Sequence, residues 1–137
     1  MKILIDTNVL VDYFAEREPF VKEAREIIAW CLTKKLNGYV AAHSITDCFY
    51  ILRKIPLKEL REMLIAVIDS MEIISIGKAK LLKAISNEDF TDIEDSLQAA
   101  CAEEYDLDYI VTRNVKDFKG GSVPAITPAD LLEKINT

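Results

Sequence analysis

The 137-residue chain is poor in the residues that build many familiar active sites. It has one histidine, His43, and three cysteines, Cys31, Cys48 and Cys101, which lie far apart within apolar helical patterns. An odd, scattered set of thiols is no disulfide frame and reads as reduced core residues, in keeping with a reducing compartment. Without paired cysteines or further histidines, a structural zinc site is not expected, and His43 reads as a capping or packing residue rather than a ligand. There are only four glycines and four prolines, none arranged as a phosphate-cradling loop. A Ser-centred nucleophile elbow is also missing. No apolar run reaches the roughly 18 to 20 residues of a membrane helix. Asp6 and Asp12 interrupt the first apolar stretch, so it does not read as a secretory leader. The expectation is one cytoplasmic domain, residues 1–137, with no membrane attachment. Basic residues are outnumbered 17 to 23, for a net charge of −6. That argues against a broad phosphate-binding surface. It leaves open a site where acidic residues hold a divalent cation that neutralises phosphates.

What is present is an alternation of strand and helix. Lys2–Ile5 is a short apolar run suited to a strand buried on both faces. Helices are expected over Asn8–Phe14 and Phe20–Leu36, with Asn37-Gly38 as the stop of the second. A strand follows at Tyr39–Ala42, then helices at Ser44–Arg53, with Phe49 on its inner face, and at Pro56–Asp69, with Leu60, Leu64, Val67 and Ile68 inward. Glu72–Ile76 reads as a strand, Gly77–Ile85 and Asp92–Tyr105 as helices, and Tyr109–Thr112 as a strand. Val123–Ile126 is a weak strand that Pro124 keeps at an edge, and Thr127-Pro128 opens a last helix to Ile135. The pattern implies an α/β fold with a mainly parallel sheet of four to five strands between helical layers.

Ligands in such sheets bind beyond the carboxyl ends of the strands. The residues at those ends are Asp6, Thr7 and Asn8, then Ser44, Thr46 and Asp47, then Thr112, Arg113 and Asn114. Several carboxylates have a second explanation. Asp6 suits a helix cap, Ser44–Asp47 matches a capping box, and Thr91–Glu94 matches another, with Asp92 explained by the helix dipole. The simplest wiring puts the start of the Asp92–Tyr105 helix at the opposite end of the sheet. Asp95 is harder to dismiss, because it lies beside the small residues Ala99 and Ala102, where a helix packs closely. Two carboxylates ~4 Å apart repel by about 1 kcal/mol in water and about 4 kcal/mol at an effective dielectric of 20. Three in one cleft need a cation, and an all-oxygen ligand set points to Mg²⁺ or Mn²⁺, which polarises water and steadies phosphate charge. A phosphatase of the haloacid-dehalogenase type needs a second Asp two residues after the first, where this chain has Asn8.

Three segments together resemble the PIN domain: ILIDTNVLVD, SITDCFYILRK and DFTDIEDSLQAACAEEYDLDYIVTRNVKDF. The resemblance implies a three-layer α/β/α sandwich and a Mg²⁺- or Mn²⁺-dependent endoribonuclease, of a kind often found as the toxin of a toxin–antitoxin pair. It also implies that the third acidic helix brings its first turn to the site. By position, Asp6, Asp47 and Asp95 are its catalytic and metal-binding acids, with Asp47 where the family usually has Glu. Asn114 stands where many members carry a fourth acid, and Asp117 is the nearby substitute. Thr7, Asn8, Thr112 and Asn114 are the supporting polar residues. Arg113, Lys116 and Lys119 are candidates for an RNA-facing rim. The partners implied are RNA, an antitoxin protein and a second copy of the chain, for which Trp30, Phe49, Tyr50 and Leu52 are surface candidates. The missing fourth acid favours the alternative, a non-catalytic PIN-like module that binds RNA or protein.

Overall fold

The computed structural model describes residues 1–137. Five strands form one parallel sheet: β1 (Lys2–Ile5), β2 (Asn37–Ala41), β3 (Glu72–Ile74), β4 (Tyr109–Val111) and β5 (Ala125–Ile126). Their spatial order is β3-β2-β1-β4-β5. The chain builds outward from β1 through β2 to β3, then crosses back to place β4 on the other side of β1. The sheet therefore has a switch point between β1 and β4, where the loops leaving the two strands part and open a crevice. The ladder carries on past β1: the Asp6 backbone N–H donates to the Val111 carbonyl at 3.0 Å.

The helices are α1 (Thr7–Phe14), α2 (Val21–Leu32), α3 (Ala42–Ile51), α4 (Leu57–Ser70), α5 (Lys78–Ser86), α6 (Ile93–Glu104) and α7 (Pro128–Ile135), with a 3₁₀ turn at Val115–Phe118. Strand alternation divides the core. Ile3 and Ile5 join Val9, Ile27, Ile28, Cys48, Leu64 and Leu131 on one face. Leu4 joins Ala41, Ala99, Cys101, Ala102 and Ile110 on the other. Helices thus cover both faces, giving the three-layer α/β/α arrangement. The Ala99–Ala102 stretch lets α6 lie close to the sheet, and the Ser96 hydroxyl donates to the Ala84 carbonyl at 2.8 Å to hold α5 alongside. No helix is long and apolar enough to cross a membrane.

Several expectations are corrected. Asn37 and Gly38 do not stop α2; they begin β2. The helix ends at Leu32, and Lys34 takes the left-handed conformation in the turn that follows, at φ 63°. Gly38 is required by close packing, since a Cβ there would stand 2.7 Å from Met71 Sδ and 2.8 Å from Cys31 Sγ. Phe49 and Ile68 face outward, 52% and 39% exposed. The wiring expectation for the third acidic helix was wrong for a general reason. A crossover helix runs antiparallel to its strands, so α6 ends where β4 begins and starts at the carboxyl edge of the sheet, beside Asp6. Ordinary right-handed wiring suffices.

Candidate metal centre

Asp6 leaves the end of β1 and is 7% exposed. It is both a helix cap and a site residue. Its Oδ1 accepts from the Thr7 backbone N–H at 2.8 Å and from Gln98 Nε2 at 2.9 Å. Its Oδ2 accepts from Thr112 Oγ1 at 2.8 Å and Asn8 Nδ2 at 3.2 Å. Burial pushes the Asp6 carboxyl above its ordinary range, against the pull of the Thr112, Thr7 and Gln98 hydrogen bonds. The donors come from three places in the chain: the first turn of α1, α6 and the end of β4. Thr112 and Gln98 are fully or nearly buried, so this corner is part of the core.

Gln98 was not expected from the sequence. It lies on the buried side of α6, and Nε2 reaches Ser44 Oγ at 2.9 Å as well as Asp6. Ser44 also takes the Thr7 hydroxyl at 2.8 Å. The capping-box reading of Ser44–Asp47 is thereby overturned. Strand β2 runs straight into α3, with Ala41 as the extended residue before the first turn, so Ser44 is already inside the helix and faces the core. The second capping box fails similarly. Asp92, not Thr91, caps α6, its carboxylate accepting the Asp95 N–H at 3.1 Å. Glu94 is then free of any capping role and turns toward the site.

A cavity of about 230 Å³ opens here, lined by Asp6, Thr7, Asn8, Val11, Arg17, His43, Ile51, Glu94, Asp95, Gln98 and Asn114. Asp95 is pushed up to about 6 by burial first, then by the charges of Asp92, Asp6 and Asp117. Glu94 is pushed up to about 7, first by a hydrogen bond with Asp47, which needs a proton between the two carboxyls, then by burial and the surrounding acids. Asp47 sits behind Glu94, outside the cavity lining. Asp117 is exposed on the 3₁₀ turn and also lies outside the lining, close enough for its charge to bear on Asp95. Asn114 and Glu94 both border the cavity.

The donor set fits a hard divalent ion. Carboxylates gathered in one cleft, each held above its ordinary range by burial and by its neighbours, are what a cation would relieve. In addition, Gln98 Oε1 is buried with no hydrogen-bond partner on the same wall.

The basic rim needs a correction. Arg113 is not free to meet a ligand, because its Nε donates to Asp12 Oδ2 at 2.7 Å and its Nη2 to Oδ1 at 3.3 Å. The guanidinium also stacks on Phe20, 4.2 Å from the ring centre. Asp12 is 1% exposed, and a buried carboxylate holds its counterion firmly. Lys116 and Lys119 are exposed on the loop after β4, outside the cavity lining. The cation that lines the cavity is Arg17, in the turn after α1, whose side chain takes part in no ion pair or hydrogen bond. Nothing in the sequence distinguished it from the other surface arginines. Leu52 is 4% exposed and belongs to the core, whereas Tyr50 is 68% exposed.

The profile of the PIN domain matches residues 2–116. Ribonuclease VapC1 of Aquifex aeolicus (strain VF5) is 32% identical over 140 residues, covering 99% of this chain and 96% of the relative. Among solved structures, a toxin–antitoxin complex from Klebsiella pneumoniae superposes with a TM-score of 0.70 at 23% identity, over 92% of this chain and 97% of that one. VapBC2 from Rickettsia felis, solved bound to a DNA fragment from their promoter, superposes with a TM-score of 0.68 at 16% identity, over 93% and 98%.

Proposed function

The chain belongs to the PIN-domain family, and from that membership and its carboxylate cluster we propose that it is a Mg²⁺- or Mn²⁺-dependent endoribonuclease, the toxin of a toxin–antitoxin pair. The observation that carries the reading is that Asp6, Glu94 and Asp95, distant in sequence, border one cavity at the switch point of the sheet. The ribonuclease name of the relative from Aquifex aeolicus supports RNA as the substrate. The toxin–antitoxin complexes that share the fold support an antitoxin as the partner.

Asp6 and Asp95 would hold the ion, with Glu94 on the same cavity and Asp47 beside Glu94. When bound, the ion supplies the positive charge that makes these carboxylates compatible, polarises water and offsets charge on the phosphate in the transition state. Asp6 keeps its position through Thr7, Asn8, Gln98 and Thr112, so the first acid is aligned before substrate arrives. Asp95, raised above its ordinary range by burial and by Asp92, Asp6 and Asp117, is an acid whose strain a bound cation would relieve. Arg17, which lines the cavity, meets the RNA phosphates there, whereas Arg113, a rim candidate by sequence, is engaged by Asp12. Lys116 and Lys119 steer RNA toward the cleft from outside. Asn114 and Asp117 flank the entrance, Asn114 as a hydrogen-bonding group and Asp117 as a charge acting on Asp95. The same proposal includes a homodimer whose face uses the exposed Phe49 and Tyr50.

The test is cleavage of single-stranded RNA with Mn²⁺, Mg²⁺ or EDTA. Metal-dependent cuts that vanish in Asp95→Asn support the assignment. Cleavage that survives Asp95→Asn removes it, and a protein that binds RNA without cutting it in either ion is a binding module instead.

A further inference from the structure

A separate cavity of about 390 Å³ lies on the β5 side of the metal centre, with Pro19, Phe20, Glu23, Arg113, Thr127 and Pro128 in its walls. Arg113 follows β4 and Thr127 follows β5, so it opens at the same carboxyl edge of the sheet. The two cavities share their dividing segments. The turn after α1 puts Arg17 in the first and Pro19 and Phe20 in the second, and the exit of β4 puts Asn114 in the first and Arg113 in the second. Buried Asp12 fixes both segments. Its backbone carbonyl accepts the Arg17 N–H at 3.0 Å, and its carboxylate holds Arg113. The Arg17 carbonyl in turn accepts the N–H groups of Phe20 and Val21, at 2.9 and 2.8 Å. The Arg113 guanidinium then stacks on the Phe20 ring, which is still 39% exposed. An aromatic ring held in this way, between two prolines, is a stacking surface ordered before any ligand arrives. Glu23, in the first turn of α2, is the carboxylate on the wall and takes part in no ion pair.

We propose that this cavity is a nucleobase subsite: it takes one unpaired base of single-stranded RNA, next to the phosphate at the metal centre, and favours a base with an amino group over uracil. The proposal rests on the reading of RNA as the substrate given above. Charge names the occupant. Arg17 is a free cation between the cavities, and a phosphate on it leaves the neighbouring base facing Phe20, three residues on. Stacking on Phe20 serves any base, because every base has a π face. Glu23 supplies the choice. A carboxylate accepts from the amino group of adenine or cytosine, whereas uracil presents the O4 acceptor at that position. Arg113 need not leave Asp12 for this, since its part is to hold the ring.

The experiment uses the full chain. Phe20→Trp puts an indole in the cavity, and its fluorescence is read against the wild type, whose sole tryptophan is Trp30. Short oligo(A), oligo(C) and oligo(U) are titrated with Mn²⁺ into this variant combined with Asp95→Asn, so that the RNA stays whole. The expected result is that oligo(A) and oligo(C) quench the added indole at concentrations about fivefold or more below oligo(U). Glu23→Gln narrows that gap, and inorganic polyphosphate, which has no bases, does not quench. Phe20→Ala raises the KM for cleavage of oligo(A) by about tenfold, the loss of one base stack. An indole that RNA leaves unquenched, or that polyphosphate quenches equally, overturns the proposal; equal quenching by the three oligonucleotides overturns the base preference. If Phe20→Ala fails to fold, the quenching alone decides. Quenching by a protein that cuts RNA in neither Mn²⁺ nor Mg²⁺ upholds the subsite and sinks the nuclease reading, whereas cutting without quenching does the reverse.

Discussion

Asp6 and Asp95 border the same cavity, but the protein holds them in opposite ways. Asp6 accepts hydrogen bonds from Thr7, Asn8, Gln98 and Thr112, all neutral donors fixed by the core. The Asp95 carboxylate accepts none of these and faces Asp92, Asp6 and Asp117, all of its own sign. Glu94 faces acids of its own sign as well, and its neighbour Asp47 helps push it up to about 7. One side of the site is therefore completed by the fold, and the other is left for protons or a cation to complete. The contrast separates an anchor, whose hydrogen bonds offset part of its burial cost, from acids that no donor offsets.

The largest effect is expected from breaking the anchor. Asp6→Asn should lower RNA cleavage by about 10³-fold or more, equivalent to roughly 4 kcal/mol of barrier, and abolish the Mn²⁺-dependent rise in melting temperature. An unchanged Mn²⁺ shift would show that the ion does not use Asp6. Next comes the charge pair behind the anchor. Arg113→Ala leaves Asp12 buried without its counterion and should cost about 3 kcal/mol in urea unfolding, and adding Asp12→Asn should recover a large part of that loss. Removing one neutral donor is milder. Gln98→Met strips a hydrogen bond from both Asp6 and Ser44 and should cost about 1–3 kcal/mol, with activity falling further than an equally destabilising core change would cause.

The smallest effect falls on the open side and has the opposite sign. Glu94 keeps its proton up to about 7 against an ordinary 4.5, so the folded state binds that proton more tightly than the unfolded chain does. Its contribution to stability is complete below about pH 4.5 and is lost as pH rises toward 7. His43 acts oppositely, because its pKa is lowered; its contribution is present above pH 6.5 and lost as pH falls through the folded-state value. Glu94→Gln should therefore flatten the fall in metal-free melting temperature between pH 5 and pH 8. At neutral pH it should stabilise the protein by under about 1 kcal/mol, since Glu94 is partly screened by solvent. A variant with an unaltered pH profile would show that Glu94 carries no strain.

Much of this arrangement was readable before any coordinates. The apolar run Lys2–Ile5 ending in Asp6 announces a core strand with a carboxylate at its tip, because strand periodicity and burial are local properties of the chain. Thr127-Pro128 announces a helix start for the same reason, and the Thr127 hydroxyl does accept the Asp130 N–H. The errors fall where two local explanations compete. Ser44 and Glu94 both fit capping boxes, and only the packing of β2 into α3, and of Asp92 ahead of α6, shows that neither is one. Arg113 and Arg17 look equivalent in sequence; a buried Asp12 one hundred and one residues away takes the first and leaves the second to the cavity.

The order of residues by itself determined which elements form, that they alternate, and that acids cluster at strand ends and helix starts. Those features depend on periodicity and on residue chemistry within a few positions. The tertiary structure decided which acid is satisfied and which is strained, that Gln98 joins Asp6 to Ser44, and that Glu94 stands with Asp47 and His43. These depend on contacts across tens of residues, where desolvation and like-charge repulsion are set by the neighbours that folding brings together.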